Sequence, residues 1–353
     1  MATEAGNGPV TRARGRRAGP RTRRGRYPPG ERGEHNEPVR NRTAKPATPR
    51  PRATRTLMAD VPIDLAHTLA PLRRGTGDPC HRVTPDGAHW RASRMPSGPV
   101  TYRLVQAGPT AVTAHAWGEG AEEFLCRLDR MLCVDEDTSG FVPVHDKIAE
   151  AHRRHPGLRM VRTGLVFETL VPTVLEQKVH TSSARAAWRT LVRRFGTPAP
   201  GPAPDGMRLP PDAETWCRIP SWTYHRANVG PQRWQTIVRA ARVADSLERT
   251  ADLPPAEASR RLRSIPGIGE WTVAEIAQRA FGDADALSVG DFHLSTIVGW
   301  SLLGRPIDDA EMVEYLEPIR PHRYRTVRLL VISGQARKPK FAPRIPVVDH
   351  SWH

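Results

Sequence analysis

Eleven residues, Leu262-Arg-Ser-Ile-Pro-Gly-Ile-Gly-Glu-Trp-Thr272, limit what this chain can fold into more than any other stretch. Two glycines one residue apart, set between segments with helical apolar spacing, let the backbone turn tightly and approach another backbone closely. The second helix then starts with free N–H groups pointing outward, where they can hold a phosphate. Twenty residues after Trp271 comes Gly290-Asp291-Phe292-His293. Read locally, Asp291 is a helix N-cap. A cap position also fixes a carboxylate and aims it off the helix end, so a structural and a chemical role are compatible.

The charge balance agrees with a polyanionic partner. The 353 residues carry a net charge of +16, and only 5 of the 53 basic residues are lysines. Arginine is the better residue for bidentate phosphate contacts. Residues 1–56 hold 14 Arg and 1 Lys against 4 Glu, a net of +11, which leaves about +5 for the rest. That Arg/Pro/Gly stretch, residues 1–57, has too little apolar surface to offset ordering entropy and is expected to be disordered. It reads equally as a basic arm tracking DNA or as a solvated tail.

Strand-like alternation at Trp90–Arg94, Val100–Leu104 and Ala111–His115, followed by helical spacing from Gly120 to Leu132, marks residues 58–138 as a small α+β domain. Residues 139–345 read as a helical body. Its expected helices span 167–179, 187–196, 230–247, 252–265, 271–281, 291–303, 310–316 and 324–333, with an exposed Pro/Gly loop at 197–211. Residues 346–353 read as a loose tail. The fold class is therefore α+β, mostly helical, with a small N-terminal antiparallel sheet and a basic disordered tail.

Cys80, Cys126, Cys133 and Cys217 lack any Cys-x-x-Cys pairing and read as buried thiols of a reducing compartment. No apolar run of about 18 residues exists, and the N-terminus lacks a secretory apolar stretch. A cytoplasmic, nucleoid-associated protein is expected. The histidines are scattered without zinc spacing, and no phosphate-loop or dinucleotide motif is present. No metal cofactor is expected, which disfavours a metal-dependent nuclease.

Pro266-Gly-Ile-Gly269, Trp271 and Asp291, in that order and spacing, resemble the helix-hairpin-helix superfamily of DNA base-excision glycosylases, most closely its 3-methyladenine glycosylase II branch. The resemblance covers roughly residues 75–345. It implies a catalytic role for Asp291, with His293 also fitting the motif. It implies that Pro266, Gly267, Ile268, Gly269 and Thr272 grip DNA, aided by a monovalent cation on hairpin carbonyls. A base pocket would draw on Trp271, Gln177, Glu275, Trp222, His322 and Tyr324, with Tyr224 and Trp300 as further aromatic candidates. Lys178 falls where the branch plugs the duplex gap. Lys178 could instead contact phosphate, with Val179 filling the gap. Relatives that also cut the strand carry a Schiff-base lysine at the Trp271 position, so Trp271 implies a monofunctional enzyme; a core tryptophan packing the hairpin is the competing reading. With no cysteine after Cys217, the iron–sulfur loop of some relatives has no ligands.

The resemblance implies hydrolysis of alkylated purines from damaged duplex DNA, by a protein expected to be a monomer. One carboxylate suits this chemistry, because it stabilises positive charge building on the sugar. A methylated purine already carries a formal positive charge, leaves easily and needs no dedicated acid. The rivals are a non-enzymatic hairpin protein that only grips the backbone, and a sister glycosylase for oxidised or mismatched bases.

Overall fold

The structure, a computed structural model, describes residues 52–337 and 339. Most of the expected basic arm and the tail 346–353 lie outside the described residues. The arm's expected boundary needs correction, however, because Ala53–Met58 forms a strand, β1. It joins β2 (His81–Val83), β3 (His89–Met95), β4 (Gly98–Gly108) and β5 (Ala111–Trp117) in one antiparallel sheet of order β1-β5-β4-β3-β2. The sequence of β1 hides its nature, since only Leu57 is deeply buried. Its order comes from the ladder to β5 and from Arg55, whose guanidinium reaches both Asp129 oxygens at 2.9 and 2.7 Å and the Leu125 carbonyl at 2.8 Å.

Both faces of the sheet are covered. Val100, Tyr102, Leu104, Val112, Ala114 and Ala116 pack on α1 (Leu65–Leu69), α2 (Ala121–Cys126) and α3 (Leu128–Met131). The other face stacks Trp90 on Trp117 with ring centroids 5.3 Å apart and takes Met207 and Leu209 beneath them. The loop 197–211, expected to be exposed, therefore contributes two core residues. An irregular backbone can still bury side chains where a sheet offers an apolar face.

The helical body has two cores. One surrounds α5 (Val166–Glu176), which is buried at every position from Val166 to Leu175 except Glu168. α6 (Thr181–Phe195), α7 (Ala213–Arg218), α8 (Ser221–Arg226), α9 (Pro231–Ala241), α10 (Ala244–Glu248), α11 (Pro255–Arg263) and α12 (Glu270–Ile276) supply the rest of its shell. α4 (Asp146–Arg154), α13 (Leu294–Val298), α14 (Asp309–Leu316) and α15 (Arg323–Ile332) build the other. α12 and α13 each continue into a wider turn, over Ala277–Phe281 and Gly299–Leu303. Of the four cysteines, Cys80 and Cys133 are buried, but Cys126 is exposed and Cys217 only half-buried. The expectation of four buried thiols fails because the α2 turn leaves Cys126 on its outer face.

Candidate active site

The hairpin forms as its glycines require. Gly267 has φ +99°, and a Cβ there would sit 2.0 Å from Thr236 Oγ1, so α9 approaches too closely for any side chain. Gly269 opens α12 in extended conformation, with open space around it and no side-chain cap. The first amides of α12 thus remain available to an outside acceptor. From the other side, Gln177 Nε2 donates to the Gly267 carbonyl and to Thr272 Oγ1, both at 2.9 Å. Gln177, expected in the base pocket, uses its amide to brace the hairpin. The Thr272 side chain is buried by this bond, and Ile268 is buried in the core, so neither side chain faces outward, whereas Pro266, Gly267 and Gly269 are exposed.

Asp291 sits where a cap would place it. Its Oδ1 accepts the amides of His293 at 2.8 Å and Leu294 at 3.0 Å, while Oδ2 accepts the Trp271 indole N–H at 3.2 Å. Hairpin tryptophan and loop carboxylate are therefore one unit, both half-buried, with the ring of Phe292 exposed beside them. Gly290, at φ +83°, turns the chain into this position, and its amide donates to Asp309 Oδ2 at 2.9 Å.

A polar network ties this loop to α12. Ser288 donates to Glu275 at 2.6 Å; Gln278 donates to Ser288 Oγ at 2.8 Å and to the Ala286 carbonyl at 2.9 Å. Glu275 also pairs with Arg279 at 2.7 Å, both side chains being largely buried. Glu275 was expected to shape a base pocket, but both its oxygens are engaged in anchoring the loop. Gln278, Ser288 and Arg279 were missed by sequence reasoning. Gln278 and Arg279 follow α12 in its wider turn and Ser288 lies in the loop after it, and a polar residue at such a position names no partner.

The remaining expected pocket residues disperse. Trp222 is 61% exposed on α8. Tyr224 is fully buried between Trp216 and Trp234, and its hydroxyl donates to the Trp216 carbonyl at 3.0 Å. His322, expected at the pocket wall, is buried edge-on against Phe141, and burial lowers its imidazole from the ordinary range. Tyr324 is buried in the α15 core, where burial raises its phenol, and it senses Arg279 and Glu275. Lys178 is exposed and left-handed at φ +52°, at the point where α5 stops; Val179 beside it is half-buried. α5 was expected to run to residue 179 but ends at Glu176, because Gln177 turns extended and Lys178 follows it left-handed.

No family model matches the sequence. A Mycobacterium tuberculosis protein described as a probable bifunctional transcriptional activator/DNA repair enzyme AlkA is 29% identical over 252 residues, 69% of this chain and 49% of the relative. The chain thus spans about half the length of the curated relatives it matches. Among solved structures, a 3-methyladenine DNA glycosylase from Archaeoglobus fulgidus superposes with a TM-score of 0.65 at 16% identity, covering 80% of this chain and 98% of the other. The fold is that of the helix-hairpin-helix DNA glycosylases. A Clostridium acetobutylicum 8-oxoguanine glycosylase/lyase shares this glycosylase fold, with a TM-score of 0.60 at 12% identity over 80% of this chain and 96% of the other. Within the glycosylase fold, the hairpin and the Asp291 loop are neighbours through the Trp271–Asp291 bond.

Proposed function

We propose that this chain is a monofunctional DNA glycosylase that hydrolyses the N-glycosidic bond of alkylated purines, of the 3-methyladenine kind, in duplex DNA, leaving an abasic site. The observation that carries this is the hydrogen bond from Trp271, the residue closing the hairpin, to Asp291. A carboxylate held by three N–H donors stays where charge develops on the sugar. The amides at the start of α12 would hold a backbone phosphate, and Lys178 at the end of α5 would enter the duplex as the nucleotide leaves it. An indole face beside the carboxylate suits an electron-poor cationic base.

A non-enzymatic grip would need the hairpin but not a carboxylate fixed to it by an indole. A monovalent cation at the hairpin fits only in part, since the Ile265, Pro266 and Gly267 carbonyls already accept bonds from Ile268, Thr236 and Gln177. No step of the reading requires one. Among the described residues, no helix is long and apolar enough to cross a membrane.

The test is incubation with randomly methylated duplex DNA and identification of released bases by mass. Methylated purines released without strand cuts support the reading. Release of no methylated purine despite duplex binding would overturn it.

A further inference from the structure

The histidines that look scattered in sequence are not all scattered in space. Asp64, His67 and His155 each direct a ligand-capable atom into one small volume, those atoms lying within 4.8 Å of one another. We propose that these three side chains bind a divalent transition-metal ion of the zinc class. The proposal goes beyond the glycosylase reading and does not depend on it.

The site is built on backbone that cannot easily move apart. Asp64 lies just before α1, His67 lies within it, and His155 ends α4, so the ligands come from segments about ninety residues apart in sequence. The two segments cross at Gly157. Its carbonyl accepts the Asp64 amide at 2.7 Å, and a Cβ on Gly157 would sit 2.6 Å from the Asp64 nitrogen. That crossing, two residues after His155, sets the imidazole of His155 edge-on to that of His67, with centroids 5.2 Å apart. On the other side, Asp64 Oδ1 accepts the His67 amide at 3.0 Å, leaving Oδ2 against His67 Nδ1 at 2.6 Å. Arg159 and Arg328 fix the same segment through the carbonyls of Pro62 and His67.

Two imidazoles and one carboxylate suit zinc-class ions rather than magnesium or calcium, which take oxygen ligands. Zinc bonds of about 2.1 Å place tetrahedral ligands about 3.4 Å apart. Asp64 and His67 therefore open slightly as the ion enters between them, and the ring proton of His67 shifts from Nδ1 to Nε2. Three protein ligands leave one position for water. An ion here cross-links the segment leading into α1 to the end of α4, which makes it a staple of the fold.

The full chain, stripped with a chelator and desalted, is titrated with Zn²⁺ by calorimetry, with Mg²⁺ as control and Co²⁺ absorption reporting ligand geometry. One equivalent of Zn²⁺ is expected to bind, to raise the melting temperature and to give a Co²⁺ spectrum of nitrogen–oxygen coordination. Asp64→Asn, which keeps a side chain able to cap α1, and His155→Gln should each weaken binding at least tenfold and remove the melting shift. Unchanged zinc affinity in the double variant would place the ion elsewhere and overturn the proposal. So would absence of binding by the unmodified chain while it remains folded.

Discussion

α5 is finished in opposite ways at its two ends. At its start, Glu248 accepts the amides of Val166 and Phe167, both at 2.8 Å, so the helix end is closed by a half-buried carboxylate. At its finish, Gln177 is drawn off to the hairpin and Lys178 is left exposed in a left-handed conformation that costs a non-glycine residue about 1–2 kcal/mol. One end satisfies every group it can. The other spends stability to present a charged side chain next to the hairpin and, through Thr272 and Trp271, to the Asp291 loop. The start of α5 is thus closed by satisfied polar groups, while its finish carries a strained, exposed lysine on the face proposed to meet DNA.

That contrast predicts separable losses. Asp291→Asn should lower base release by about 10²–10³-fold or more while duplex binding and melting temperature stay near those of the unmodified chain, because an asparagine oxygen can still accept the amides of His293 and Leu294. Single-turnover release measured beside gel-shift binding checks this; parallel loss of binding would merge chemistry and grip. On the closed end, Glu248→Ala leaves two buried amides without partners and should cost about 2–4 kcal/mol of stability, with base release per folded molecule unchanged.

Gly269→Asp should separate stability from binding on the hairpin itself. The position has room for a side chain, and a capping carboxylate should stabilise α12 by up to about 1 kcal/mol. The same charge would occupy the place of the phosphate, so duplex affinity should fall at least tenfold. Tighter binding in this variant would remove the hairpin amides from the grip. Lys178→Gly relieves the left-handed strain and should raise stability by about 1 kcal/mol while slowing base release; faster release would show that the lysine side chain does not enter the duplex.

A last effect concerns pH. Burial pushes the Glu248 carboxyl up to about 7, against the downward pull of its two amide bonds. The folded state therefore holds this proton more tightly than the unfolded chain. Its contribution to stability is full below the ordinary range near 4.5 and fades as pH rises through about 7. Relative to Glu248→Gln, the unmodified chain should lose about 2 kcal/mol between pH 5 and 8. Denaturant midpoints for both proteins across that interval provide the check, and parallel curves would mean the carboxyl is ionised throughout.

Much of this was legible in residues alone. The hairpin, the helices around it and the capping role of Asp291 follow from glycine spacing and apolar period, which are local properties of the chain. The edge strand β1 was not legible, because an Arg/Thr strand is ordered by its neighbour β5 and by Asp129 rather than by its own apolar pattern. The partners of Gln177, Glu275 and His322 were not legible either. Each is a polar residue whose meaning lies in its partner.

The sequence by itself determined where the backbone turns, which faces are apolar and which carboxylate stands at a helix start. Only the tertiary structure decided that Trp271 bonds Asp291, that Ser288 and Glu275 hold the loop, that Gln177 braces Gly267, and that His155 meets His67. The reason is physical. Backbone periodicity and turn chemistry act over a few residues and are written in the local pattern. A hydrogen bond or metal ligand acts over about 2–3 Å between groups that can be ninety residues apart, and only the packed chain brings those groups together.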